Sequence, residues 1–320
     1  MWIRKGLLLA FLTLATPVAG EQPPILLFHW GSHGSGPGQF SKPQGIVVTS
    51  AGLVFVTDGR NHRVQAFEET GTFLFEWGGL GTGEGQFDEP LGIDVDASGN
   101  LYVTDVNNHR VQKFDGSGHY LLEWGQRGTQ PGTFEQPLGV AVDPRGFVYV
   151  TDMNDRVQKF DSQGRLVTAW GRHGHKTGEF VRPWGIAVDR SGDVYVADSD
   201  NHRVQRFDTD GTFLMTLGSP GREAGQFLLP LDVDVDHSGN VYVVDMLNRR
   251  VQKFDPNGML LSAWGAEGEG EGQFSCAYGV SVDFIGNVFV ADTANHRIQV
   301  FGMPVSATSI TWSQLKSAYR

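Results

Sequence analysis

The sequence predicts an all-β protein, a closed six-bladed β-propeller with four strands to a blade, and three observations carry that expectation. The 320-residue chain repeats itself from Pro43, Pro90, Pro137, Pro183, Pro230 and Ala277, at spacings of 47, 47, 46, 47 and 47 residues. A period in the forties belongs to propellers and solenoids. Each copy is written in short β-branched and aromatic runs divided by Asp, Asn and Gly clusters, which is strand and turn chemistry without a helical period. The ends are complementary: the sixth copy stops after Ile298-Gln-Val-Phe301 without an outer strand, while Leu26-Leu-Phe-His-Trp-Gly31 stands alone before the first. Pairing the two closes the ring and removes the sheet edges an open array would expose.

Along the chain, Met1-Trp-Ile-Arg4-Lys5 and the apolar run Gly6 to Thr16 read as a secretory signal over residues 1–20, with Val18-Ala-Gly20 as the cleavage site. The apolar run is short for a membrane span, and no later stretch is long enough, so export to a periplasmic or extracellular space without a membrane span is expected. The propeller is assigned to residues 25–302. Copy two shows the plan: Pro90-Leu-Gly-Ile-Asp-Val, then Leu101-Tyr-Val-Thr-Asp, then Arg110-Val-Gln-Lys-Phe, then Tyr120-Leu-Leu-Glu-Trp, then a Gly-rich loop ending in Phe134. Residues 303–320 form a tail in which Thr311-Trp-Ser-Gln314 has the form of a helix capping box, with Trp312, Leu315 and Tyr319 at helical spacing.

The block Asp-x-x-Asn-x-Arg-Val-Gln-x-Phe, from Asp58 to Phe67 and again from Asp105, Asp198, Asp245 and Asp292, closely resembles the NHL repeat. Copy three is one residue short, with Asn154-Asp155-Arg156. The resemblance implies a six-bladed ring of NHL repeats but leaves function open, because similar propellers bind proteins or RNA, sense ligands outside cells, or carry the lyase that completes peptide amidation. In that lyase the resemblance would place zinc-binding histidines just after each blade-opening Pro. The positions here are Gln44, Leu91, Leu138, Trp184, Leu231 and Tyr278, with no histidine among them.

Composition narrows the partner. The whole chain carries a formal charge of −11, and loss of Arg4 and Lys5 with the signal makes it −13. Such a field repels phosphate backbones, which argues against nucleic acid. Cys276 is the single cysteine, so no internal disulfide forms, and it reads as a packed apolar residue rather than a nucleophile.

Residues that recur in every copy serve the blade; those that vary serve something asymmetric. The recurring Asp (58, 105, 152, 198, 245, 292) and Arg (63, 110, 156, 203, 250, 297) flank one turn closely enough to pair as a latch. Alternatively Arg63, Arg110, Arg203 and Arg297 offer guanidinium donors to anionic groups on the rim. His62, His109, His202 and His296 lie in the same turns and read as exposed polar residues. The position after each Pro varies, and Gln44, Trp184 and Tyr278 near the axis are candidate binding residues. Asp94 and Asp234 occupy matching places in opposite copies and, with Asp232 in place of a Gly, are candidate oxygen ligands for Ca²⁺ in the channel; no other cofactor is indicated. His173-Gly-His175 supplies two metal-type ligands in a loop, too few for a site. The Gly-rich loops lack the GK[ST] ending of a phosphate cradle.

These readings add up to an exported, monomeric, non-catalytic module, a scaffold or sensor that binds a protein or small polar ligand on the top rim. A propeller enzyme resembling peptidyl-hydroxyglycine α-amidating lyase is the alternative.

Overall fold

The computed structural model describes residues 21–303; the secretory signal and the tail helix expected at the two ends lie outside them. The described residues form six four-stranded antiparallel sheets, one per copy. In blade two the strands are Pro90–Val95, Leu101–Asp105, Arg110–Phe114 and Tyr120–Trp124, running from the axis outward. Blade six supplies only its inner three, Ala277–Val282, Val288–Asp292 and Arg297–Gly302. Its outer strand is Ile25–Trp30, paired antiparallel from Ile25 opposite Gly302 to Trp30 opposite Ile298. The closure inferred from the mismatched ends is therefore the one the chain makes.

Burial follows from the stacking of blades. Every residue of the second strand Val148–Asp152 is buried, because a neighbouring sheet covers each face, whereas the outer strand Tyr120–Trp124 alternates half-buried with exposed. The core is accordingly divided among the junctions. At the closing junction Phe40, Ile46, Val56 and Phe67 of blade one pack on Phe289 and Ile298 of blade six, with Trp30 against them. The Phe that ends each Gly-rich loop plugs a junction completely: Phe134 is fully buried, its ring 5.6 Å from that of Phe160. Gly125, at φ +101°, makes room for it, since a Cβ there would lie 2.5 Å from the Phe134 ring.

The Asp–Arg pair is a latch. All six carboxylates are fully buried, and Arg110 Nε donates to Asp105 at 2.8 Å. The same guanidinium reaches the Gly-rich loop, donating to the carbonyls of Thr82 at 2.8 Å, Gly83 at 2.9 Å and Gln86 at 2.8 Å. Asp105 also accepts from Asp88 N at 2.7 Å and Asn108 Nδ2 at 2.9 Å. One turn thus ties the second strand, the third strand and the incoming loop. Arg63, Arg203 and Arg297 repeat the bond at 3.0, 2.7 and 2.9 Å. Of the two readings of these arginines, this geometry describes the latch: their donors face carboxylates and carbonyls inside the blade.

Candidate functional site

The inner strands surround an axial cavity of about 220 Å³, lined among others by Gln44, Asp94, Trp184, Asp232, Asp234 and Tyr278. The first five blades open with Pro, and φ near −65° sets each inner strand's entry at one face, so the variable position that follows stands at the mouth of the channel. There Trp184 of blade four and Tyr278 of blade six meet edge to face, ring centroids 6.0 Å apart at 83°. Leu91 and Leu138 pack with Val106 between blades, and Trp184 lies against that cluster. Gln44 is only 7% exposed, and its Oε1 has no hydrogen-bond partner among the described residues; Trp184 Nε1 is likewise buried and unpaired. Unpaired polar atoms are costly in a folded interior. The outer-strand indoles of Trp30, Trp77, Trp124, Trp170 and Trp264 share that state as repeat features, and Gln44 Oε1 lies against Gly59 at the junction of blades one and two.

Asp232 lies beneath the aromatic pair. It replaces the Gly found in the five other blades, and where those strands bulge past the position, it pairs in register with Val244. Its Oδ2 accepts from Val280 N at 3.0 Å, two residues beyond Tyr278. Its Oδ1 rests against Gly185, next to Trp184, so closely that a Cβ at Gly185 would overlap it. Asp234, one layer down, accepts from Val282 N at 2.8 Å, and Asp94 across the channel accepts from Val142 N at 2.6 Å. These carboxyls also join neighbouring blades. A hydroxyl adds to the tie between blades two and three, where Thr104 Oγ1 donates to Leu138 O at 2.7 Å.

Depth in the molecule sets the acidity of the three. Burial pushes Asp94 up to about 7 and Asp232 up to about 8, against bonds from backbone N–H groups that favour the anion, and repulsion among the carboxyls adds to it. Asp234 rises to about 6 for the same first reason. The placement bears on the calcium expectation: each carboxyl is held by backbone donors, and among the described residues no three His, Cys, Asp or Glu side chains form a metal-type cluster.

The turn histidines differ from expectation. They are half-buried, and each accepts a hydrogen bond from the next blade: His62 Nδ1 from Glu89 N at 3.2 Å, His109 from Gln136 N at 3.1 Å, His202 from Leu229 N at 3.1 Å and His296 from Lys42 N at 3.2 Å. Asp155 takes the same part toward Arg182 N at 2.7 Å. The residues so held are left-handed, Lys42 at φ 60° and Glu89 at 61°, and the bond helps to fix that uncommon backbone. His173 and His175, by contrast, bond separately to Asp155 and Asn201 in an exposed loop. Cys276 is half-buried and its thiol is pushed up by burial, as befits a packed residue.

Four segments, residues 40–67, 87–114, 180–207 and 274–301, match the NHL repeat. The chain is an NHL-repeat β-propeller. A 50-residue stretch is 48% identical to Protein lin-41 of Caenorhabditis elegans, covering 16% of this chain and 4% of that protein's length. Among solved structures the propeller is similar to a streptogramin B lyase, with a TM-score of 0.61 at 14% identity over 87% of this chain and 98% of that one. It is equally similar to a gluconolactonase of Xanthomonas campestris, at 0.61 and 17% identity over 90% and 98% of the two chains. A protein of unknown function from Bacteroides thetaiotaomicron gives 0.65 and 19% identity over 85% and 74%. At such identities the likeness is one of fold. No helix among the described residues is long and apolar enough to cross a membrane.

Proposed function

We propose that this NHL propeller is a non-catalytic binding module, a scaffold or sensor working outside the cytoplasm, whose partner seats on the mouth of the axial channel. One observation carries the reading: against an otherwise uniform repeat, the position after each blade-opening residue varies, and there Trp184 and Tyr278 meet edge to face over the axial cavity. Aromatic anchors clustered at a pocket are the composition of an interface centre. The charged start and short apolar run of residues 1–16 support export.

The second reading, an enzyme, draws on the lyase and lactonase among the fold neighbours and on carboxyls that exchange protons near neutrality. Against a lyase of the amidating kind, no histidine follows a blade-opening residue. The test is affinity for a partner captured from envelope or culture fractions. Trp184→Ala and Tyr278→Ala should each weaken it by about 2 kcal/mol or more. Unchanged affinity would move the interface elsewhere, and zinc-dependent turnover of an α-hydroxyglycine peptide would replace the module by an enzyme.

A further inference from the structure

The mouth has a chemical polarity that narrows the partner further, if the binding reading above is granted. Its floor is made of acceptors. Asp232 bridges Gly185, next to Trp184, and Val280, two residues beyond Tyr278, and Asp94 and Asp234 line the same cavity. Among the described residues no Lys or Arg lines this cavity. The nearest rim guanidinium, Arg182, is paired with Asp200 at 2.9 Å. An aromatic pair above a carboxyl, with acceptors around it and no internal cation, complements one kind of guest. Ring faces attract a positive charge, the carboxylate neutralises it, and the remaining acceptors take its N–H groups.

We propose that the Trp184–Tyr278–Asp232 pocket receives an aliphatic ammonium group, as carried by a lysine side chain of a protein partner, with Asp232 as its counter-ion. The break in the repeat fits this role. Asp232 replaces a Gly in the one blade lying between those that carry the two aromatics. A hydroxyl bridge of the kind used at other junctions would hold the strands without placing a charge there. The net charge of −11 also favours approach of a cation. A metal ion is the poorer complement, because the carboxyls are spread over opposite blades and held by backbone N–H groups rather than converged on one point. The charged groups that act on Asp232 are Asp234 and Asp94, both acidic, so seating an ammonium near pH 7 draws a proton from its carboxyl into the buffer.

The test is calorimetric titration of the whole protein with n-butylammonium chloride, and with n-butanol as the uncharged control, in two buffers of different ionisation heat. The expected result is saturable binding of the ammonium alone, with proton release. Affinity should drop on the order of tenfold in Trp184→Ala and at least as much in Asp232→Gly. Asp232→Gly restores the residue of the other blades, and Asp232→Asn provides a second variant that keeps the side chain's size. Equal binding of butanol, or unchanged ammonium binding in both Asp232 variants, overturns the proposal. So does saturable calcium binding that depends on Asp232 and is not displaced by n-butylammonium. A captured partner that needs Trp184 and Tyr278, but ignores Asp232 and is not displaced by n-butylammonium, refutes the ammonium guest while leaving the binding module standing. A partner indifferent to the aromatics removes the module reading itself.

Discussion

The latch turn and the channel mouth lie on the same face of the ring, within one strand of each other, and obey opposite rules. In the latch, the recurring Asp, Arg, Asn and Gln give or take hydrogen bonds inside the blade. Asp105 alone accepts from Asp88, Asn108, Arg110 and Gln112. At the mouth, the residue type changes from blade to blade, and polar atoms of Gln44 and Trp184 are buried without partners. A buried ion pair that costs much to desolvate survives when the remaining donors and acceptors are used, and the Asp105–Arg110 latch meets that condition. The mouth instead changes residue type from blade to blade and sets Trp184 against Tyr278 over the axial cavity.

The sharpest way to break the comparison is to remove the scaffold on which both depend. Deleting Ile25 to Phe40 takes away the strand that closes blade six, together with Trp30 and Phe40 from the closing core. An unpaired edge and exposed apolar surface should then cause aggregation. Size-exclusion chromatography and thermal melting check this; a monomer with an unchanged midpoint would refute closure by that strand.

Next in size is the latch itself. Arg110→Ala strands a fully buried carboxylate and three loop carbonyls, and should cost about 3 kcal/mol in denaturant unfolding, the range for breaking a buried pair. Under about 1 kcal/mol would mean that the pair behaves as an exposed one, and would return these arginines to the rim.

A smaller effect separates the mouth from the latch by pH. Asp232 is pushed up to about 8 in the folded protein, above its ordinary 3.8. A carboxyl raised by folding contributes stability that is complete below the ordinary value and is lost as pH rises through the folded one. Wild-type stability should therefore fall relative to Asp232→Asn between about pH 4 and pH 8. Thermal midpoints across that range measure the difference; parallel curves would show that Asp232 is ionised throughout.

Much of this architecture was legible because it is local and repeated. The blade period, the missing outer strand of copy six and the Asp–Arg pair five residues apart are all carried by near neighbours in the chain. What the mouth does was not. Trp184 and Tyr278 are two blades apart, and only closure of the ring brings them to 6.0 Å. The substitution of Asp232 for Gly was visible, but its position under those rings depends on the Gly185 and Val280 backbones. The histidines were misjudged as exposed turn residues because their partners are backbone N–H groups 27 residues on, at His62, His109 and His202, and backbone groups carry no side-chain signature.

The smallest expected effect concerns the histidine at the closing junction. His296 Nδ1 accepts from Lys42 N, 254 residues away in sequence, so the bond helps to join the two ends of the ring. An acceptor nitrogen must be unprotonated, and burial, with His33 beside it at 4.5 Å between ring centroids, holds His296 below its ordinary 6.5. Folding thus favours the neutral ring. Its contribution is full above pH 6.5 and is lost as pH falls through the lower folded value, the opposite sense to Asp232. His296→Ala should cost about 1 kcal/mol at pH 7.5, the worth of one hydrogen bond, and less at pH 5, where protonation of the ring in the unfolded chain offsets part of it. Unfolding of both proteins at the two pH values decides the matter. A loss that is the same at pH 5 and pH 7.5 would reduce His296 to a packing residue and leave the closing strand as the principal polar tie between first and last blades.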